Sequence, residues 1–322
     1  MITASHVIKD YGNTRAVDDI SFEVKEGENL VLLGTSGCGK TTTLKMINRL
    51  IAMSGGSITV NGKDITQQSE ETLRRSIGYV LQHNSLFPHY TVEENIAVVP
   101  ALLKWDKARI KARTYDLLEK VHLSANDYLS VYPHELSGGQ QQRVNIARAL
   151  AADPPILLMD EPFGALDTIT RAAIGKEFSE IDEFMRKTIV LVTHDVKEAF
   201  LLGDTICILN EGRIVQQGKP ADLLFHPAND FVKEFLSASY LQLALNTVKV
   251  KDIWNEFTEQ NILDNHSAVS EITENSSLWD LMEKGIKEPG MDIIIVKNKE
   301  GIYRQISKED VFRSVAKFNY TS

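Results

Sequence analysis

The run Gly34-Thr35-Ser36-Gly37-Cys38-Gly39-Lys40-Thr41-Thr42 brings three glycines, one cation and several hydroxyls into nine residues. That combination suits a polyphosphate. Glycines let backbone N–H groups turn towards an anion where a side chain would block the approach. A helix opening near Lys40 adds the positive end of its dipole. Lys40 is placed to reach the β- and γ-phosphates and the Thr41 hydroxyl to ligate Mg²⁺, which is the chemistry of the G-x-x-x-x-G-K-[ST] phosphate loop. The loop follows an apolar strand, Leu30 to Leu33, and opens a helix, the setting this motif requires, so the reading is a binder of ATP or GTP.

Other polar residues close apolar runs. Asp160-Glu161 ends Ile156 to Met159, and two adjacent carboxylates there are costly to place without a purpose. Opposite a phosphate loop, Asp160 suits Mg²⁺ coordination through water. Glu161 then orients or deprotonates a water at the γ-phosphate. His194 closes Val190-Leu191-Val192-Thr193; it is a structural histidine or a member of the same site, and two neighbouring strands with polar ends favour the site. Gln82 closes Ile77 to Leu81, where it either bonds a neighbouring loop or contacts a ligand at the carboxyl end of a parallel strand. Ser137 caps a helix whose first residues, Gly138 and Gly139, leave N–H groups open, which makes an ordinary capped helix or a second anion site. Tyr11 is an exposed loop aromatic or a platform for a purine.

The elements that position these residues follow from periodicity. Residues 1 to 33 alternate apolar and polar around turns at Tyr11-Gly12-Asn13 and Glu26-Gly27, which predicts short antiparallel strands. Asn61-Gly62 is a two-residue turn inside the hairpin Ile58 to Lys63. A helix is expected around Thr72 to Ser76. Residues 91 to 152 read as a helical insertion, with helical spacing over Ile110 to Leu123 and Gln140 to Ala152 and breaks at Pro133 and Ser137-Gly138-Gly139. Then Ile156 to Met159, Ile189 to Val192, Thr205 to Leu209 and Ile214 to Gln217 alternate with helical stretches at Thr168 to Arg186 and Val196 to Leu202, the parallel-sheet pattern. The expected fold is α/β, a P-loop NTPase with a mixed, mainly parallel sheet and an N-terminal antiparallel β subdomain.

The whole chain sets bounds on function. Its 322 residues exceed one ordinary domain. With 35 basic and 44 acidic residues and no long basic run, nucleic acid is not suggested as a partner. Two cysteines, Cys38 and Cys207, are too few for a disulfide framework and read as reduced thiols in a cytosolic setting. The N-terminus, with His6, Lys9 and Asp10, does not resemble a signal peptide. The longest apolar run, Ile96 to Leu103, is broken by Pro100 and is too short to span a bilayer.

In this order and spacing the motifs resemble the nucleotide-binding subunit of an ATP-binding cassette (ABC) transporter, over residues 1 to about 235. The matching residues are Tyr11, Gly34 to Thr42, Gln82, Leu136-Ser137-Gly138-Gly139-Gln140, Ile156 to Asp160 with Glu161, Ala165-Leu166-Asp167 and His194. Gly164 stands where a serine is common. The resemblance implies that Tyr11 stacks on adenine beside Val17, that Gln82 joins Thr41 and Asp160 at Mg²⁺, that Glu161 is the catalytic glutamate and His194 the switch histidine, and that Ser137, Gly138, Gly139, Gln140 and Asp167 also serve the nucleotide. It further implies an ATPase that closes head to tail as a homodimer, Ser137 to Gly139 of one subunit meeting the γ-phosphate held by Lys40 of the other. Gln82 and Leu86-Phe87-Pro88-His89-Tyr90 are then expected to grip a coupling helix of separate integral-membrane permease subunits. The subunit is expected on the cytoplasmic face of the inner membrane, served indirectly by a solute-binding protein.

Finer details resemble the importer branch for quaternary-amine osmoprotectants such as glycine betaine, choline, carnitine or proline. They are Thr43 to Leu50, Ile77 to Gln82, Leu86-Phe87-Pro88-His89, and Val99-Pro100 followed by Trp105. The alternatives are an importer subunit for another small solute, such as an amino acid, or a soluble ABC ATPase of DNA repair or translation. The latter carry two cassettes or a long coiled-coil insert, and this sequence has neither.

The expected organisation is a cassette over 1–235, a helix and linker over 236–270, and an α+β module over 271–322. That module reads as helix Ser277 to Gly285, strand Asp292 to Lys297, turn Asn298 to Gly301, strand Ile302 to Ile306 and helix Lys308 to Phe318. The order resembles one repeat of a cystathionine-β-synthase-type (CBS) domain. Family nucleotide sites form between paired repeats, so a single copy points to a dimerising or vestigial regulatory module, with a purely structural tail as the alternative. Residues 240–322 carry 13 acidic and 10 basic residues, which does not favour a sensor of anionic membranes.

Overall fold

The computed structural model describes residues 1–82, 86–164, 166–167, 170–171, 174–175, 177–178, 181, 184, 186–256, 258–259, 272–287, 293–300, 302–307, 309–311 and 313. The helices expected over Thr168 to Arg186 and Lys308 to Phe318 lie partly outside these residues, as do Ala165 and much of the expected linker. Packing divides the chain into Met1–Gln217 and Gly218–Ser322. The division falls before the expected 235/236 boundary because the short helices after Gly218 pack among themselves and, through the last of them, on the helix at 278–287.

The first unit is built on two sheets. Strands β1 (Ile2–Tyr11), β2 (Thr14–Val24), β4 (Gly55–Val60) and β5 (Lys63–Asp64) form an antiparallel sheet in the order β2-β1-β4-β5. Asn61 and Gly62, between β4 and β5, both have positive φ (53° and 72°), the geometry that an Asn-Gly hairpin turn supplies. The larger sheet orders β3 (Asn29–Gly34), β6 (Ile77–Val80), β7 (Ile156–Asp160), β8 (Thr188–Thr193), β9 (Thr205–Asn210) and β10 (Arg213–Gly218) as β10-β9-β3-β8-β7-β6. The β6–β7, β7–β8, β3–β8 and β3–β9 pairs are parallel. Only two residues, Glu211 and Gly212, join β9 to β10, and a link that short can only make an antiparallel hairpin. The sheet is therefore mixed, with one antiparallel edge.

Side chains alternate across a strand, and both faces of the large sheet are covered. Leu30, Leu32, Ile156, Leu158, Val190, Val192, Cys207 and Leu209 join one core with Leu44, Met46 and Ile47 of α1 (Lys40–Ile47) and with Ile2, Ile20, Phe22 and Ile58 of the antiparallel sheet. The alternate residues, Val31, Leu157, Leu191 and Ile206, are buried on the opposite face. Burial on both sides explains why these strands read as unbroken apolar runs. Each such side chain contributes roughly 1.5–3 kcal/mol.

Helix α2 (Glu70–Arg75) precedes β6, and the helical insertion that follows β6 contains α3 (Val92–Leu102), α4 (Lys107–Lys120), α5 (Ala125–Tyr128) and α6 (Gly138–Leu150). Helices α3, α4 and α6 pack together, and α6 also packs on β6. Helix α7 (Val196–Leu202) follows β8. No helix among the described residues is long and apolar enough to cross a membrane.

The second unit holds α8 (Pro220–Phe225), α9 (Asp230–Ser237), α10 (Tyr240–Thr247) and α11 (Leu278–Lys287), with β11 (Thr258–Glu259), β12 (Ile293–Lys297) and β13 (Tyr303–Ser307) in an antiparallel sheet ordered β11-β13-β12. The helix–strand–turn–strand order expected at its end is present.

Candidate functional site

Four strands of the large sheet end level with one another: Val80 pairs with Met159, Asp160 with Val192, and Leu33 with Thr193. This alignment brings the phosphate loop after β3, Gln82 after β6, Asp160-Glu161 at the end of β7 and His194 after β8 to one carboxyl edge. Open α/β sheets bind ligands there.

The phosphate loop is shaped by close packing. A Cβ added at Gly34 meets the Leu209 carbonyl oxygen at 2.2 Å, so β9 leaves no room for a side chain. Gly39 has φ 102°, and a Cβ there meets the Ala16 carbonyl oxygen at 2.5 Å. Thr35, Ser36 and Gly37 are exposed, while Cys38 and Lys40 are buried. The Lys40 ammonium donates to the carbonyl oxygens of Gly34 (2.9 Å) and Thr35 (2.7 Å) and lies 3.7 Å from Cys38 Sγ. Thr42 sits half-buried in the first turn of α1. Tyr11, half-exposed, has the Lys9 ammonium over its ring. Val17 is fully buried and supports the loop from beneath at Gly39.

Two contacts organise the acidic end. Thr41 Oγ1 donates to Asp160 Oδ1 at 2.7 Å. Burial holds the Asp160 carboxyl above the usual carboxylate range, opposed by that hydrogen bond and by Lys45 and Lys40. Glu161 Oε2 accepts from Gln82 Nε2 at 2.9 Å and lies 3.1 Å from His194 Nδ1. Glu161 has φ 43°, a left-handed backbone costing about 1–2 kcal/mol for a non-glycine residue. Its N–H is fixed on the Val192 carbonyl at 2.9 Å. The structure thus joins Gln82, Glu161 and His194 through one carboxylate oxygen, next to the Thr41–Asp160 pair.

Ser137 caps α6 as expected, and Gln140 returns the bond to the Ser137 N–H, closing a capping box. No described hydrogen bond joins Ser137 to Gln140 with the phosphate loop of the same chain. Asp167 caps the next helical turn by accepting from the Thr170 N–H at 3.0 Å; Ala165, beside it, lies outside the described residues.

Two residues escaped the sequence reading. Asn95 is fully buried in α3; its amide donates to the carbonyls of Phe87, Tyr90 and Thr91 and its oxygen accepts from the Phe87 N–H, so it fixes the exposed aromatic turn after Gln82. Glu198, buried in α7, accepts at 2.7 Å from Oγ1 of Thr193, the residue before His194. Neither carries a sequence signal beyond a polar residue on a helical apolar face.

Burial pushes the Glu198 carboxyl up to about 8 against an unfolded value near 4.5, the Thr193 bond opposing and Asp195 reinforcing the rise. The folded chain therefore keeps a proton that the unfolded chain releases above about 4.5. This contribution to stability is complete below that pH and is lost as pH rises through about 8. Glu198→Gln is expected to flatten the fall, leaving the variant several degrees more stable than the parent at pH 9 and close to it at pH 5, as read by thermal melts. Parallel melting curves at both pH values would refute it.

A phosphate loop, a buried aspartate on its threonine and a glutamate–glutamine–histidine cluster at one sheet edge define a P-loop NTPase of the cassette type. Residues 17–164 match the ABC transporter family. The osmoprotectant import ATP-binding protein OsmV of Salmonella typhimurium is 51% identical over 255 residues, covering 79% of this chain and 67% of its own length. The choline transport ATP-binding protein OpuBA of Bacillus subtilis is 51% identical over 242 residues, or 75% of this chain and 63% of its own length. The glycine betaine uptake system ATP-binding protein YehX of Escherichia coli is 43% identical over 301 residues, 94% of this chain and 95% of its own. Among solved structures, the dimeric ATP-binding cassette MJ0796 in a post-hydrolysis state bound to ADP and Pi is 32% identical with a TM-score of 0.61, covering 68% of this chain and 98% of that one. The chain belongs to the ABC transporter ATP-binding family and is an ATPase of that class.

Proposed function

We propose that this chain is the ATP-hydrolysing subunit of a membrane importer for a quaternary-amine osmoprotectant, working as a homodimer docked on permease subunits at the cytoplasmic face of the inner membrane. The observation that carries the hydrolytic part is the convergence of Gln82, Glu161 and His194 on one carboxylate oxygen beside the Thr41–Asp160 pair. Lys40 and the loop N–H groups bind the phosphates of ATP. Glu161 takes a proton from a water directed at the γ-phosphorus, and His194 and Gln82 hold that carboxylate in place. Thr41, Asp160 and Gln82 fit Mg²⁺: their donors are oxygens, and Gln82 uses its amide nitrogen on Glu161, leaving Oε1 for a cation. When bound, the ion would offset charge on the β- and γ-phosphates.

Gly138 supports the dimer. Among the described residues a Cβ there meets nothing within 4 Å, and its φ is not in the left-handed range, so none of those residues demands glycine. A close approach from outside does, as when ATP held by a second subunit meets the N-terminus of α6. Tyr11 serves as the adenine platform, and the exposed turn of Phe87, His89 and Tyr90 as the permease contact. The unit after Gly218 serves dimerisation or regulation.

The solute reading is supported by the names of the relatives: osmoprotectant, choline and glycine betaine. Deleting this subunit is expected to reduce uptake of labelled glycine betaine or choline to background in cells, with recovery on returning the parent chain but not Glu161→Gln. Unchanged uptake would reject the osmoprotectant reading and leave another small solute as the cargo.

A further inference from the structure

We propose that Arg171 is a positioning residue for hydrolysis, clasping the loop that carries Glu161 to the loop that carries His194. The inference rests on the hydrolytic roles proposed for those two residues. Its guanidinium makes four hydrogen bonds. Nε donates to the Phe163 carbonyl at 3.2 Å, and Nη2 to the carbonyls of Leu166 at 3.0 Å and Gly164 at 3.4 Å. Nη1 crosses to Asp195 Oδ2 at 3.2 Å. Three bonds thus hold the turn that leaves Glu161, and the fourth holds the residue after His194.

The Asp195 side of the clasp is divided with economy. Oδ2 takes Arg171, while Oδ1 accepts from the N–H groups of Lys197 and Glu198 and caps α7. The Asp195 N–H donates to Thr193 Oγ1, which itself donates to the buried Glu198. The backbone on both sides of His194 is therefore pinned, and Arg171 sets its distance from Glu161. Glu161 needs such help because its left-handed backbone is strained. A Cβ at Gly164 would lie 3.2 Å from Glu161 Oε2, so a shift of this turn acts directly on that carboxylate. Lysine cannot replace the clasp: it offers one charged point where the guanidinium fork reaches two loops at once.

ATP turnover by the full chain tests this. Arg171→Ala is expected to lower kcat by about 10- to 100-fold with KM for ATP unchanged within about two-fold, because the phosphate loop is untouched. Arg171→Lys is expected to stay near the alanine value. Millimolar guanidinium should restore part of kcat to the alanine variant, whereas urea at equal concentration should not, a difference that a general loss of stability does not produce. If Arg171→Ala fails to fold, Asp195→Asn is used instead; it keeps the cap on α7 but removes the charge facing Arg171, and a several-fold fall in kcat is expected. Wild-type kcat in Arg171→Lys, or a fall in Arg171→Ala that guanidinium and urea treat alike, would overturn the proposal. Glu161→Gln run in parallel separates the cases: if that variant is inactive while Arg171→Lys is normal, the clasp fails alone, and if Glu161→Gln turns over normally, the hydrolytic reading itself fails.

Discussion

In Glu161→Gln, ATP binding is retained and turnover falls by about 10²- to 10⁴-fold, the range a positioned general base contributes. The geometry makes this a clean substitution. Glutamine has the shape of glutamate, and its amide oxygen still accepts from Gln82 Nε2, now 2.9 Å from the carboxylate. The N–H bond to Val192 and the left-handed backbone are properties of the main chain and survive. What is removed is the proton acceptor, together with a negative charge that opposes the γ-phosphate. The closed dimer should therefore accumulate with ATP, seen as a nucleotide-dependent doubling of mass in size-exclusion chromatography with light scattering. Undiminished phosphate release in this variant would sink the assignment of Glu161.

The second large effect is expected at Lys40. Lys40→Ala should weaken ATP binding by about 10- to 150-fold in calorimetry, the value of one charge-assisted hydrogen bond, where Glu161→Gln leaves it near the parent value. The structure adds a second consequence. The Lys40 ammonium is buried and bonded to the carbonyls of Gly34 and Thr35, so it also ties the first residues of the glycine-rich loop to the start of α1. A melting temperature lowered without nucleotide, on top of lost affinity, is the expected signature of both roles. Parent-like affinity in Lys40→Ala would remove the phosphate loop from the nucleotide site.

Much of the cassette was legible in the residues. The antiparallel start, the Asn61-Gly62 hairpin, the helical insertion and the parallel core strands follow from local periodicity and turn chemistry, which depend on neighbours a few positions away. The phosphate loop was legible for the same reason: its nine residues are contiguous and their spacing is the site. The antiparallel edge β10 was not evident from apolar pattern alone, since a buried run looks the same in either direction; the two-residue link at Glu211-Gly212 decides it. The unit boundary at Gln217 also differed from the expected one, because which neighbours the short helices after Gly218 pack on is a long-range matter.

By itself the sequence determined the class of chemistry: a phosphate loop, a carboxylate pair after an apolar strand and a capped glycine pair, each a local pattern with a local physical cause. Only the tertiary structure decided how they act together. Gln82 and Glu161 are 79 residues apart, and Glu161 and His194 are 33 apart, yet strand pairing brings all three to one oxygen atom. Glu161's left-handed backbone, Asn95's grip on the turn after Gln82 and Arg171's reach to Asp195 have no signature in composition or spacing. They depend on backbone conformation and on acceptors, main-chain carbonyls among them, that only the fold brings within reach.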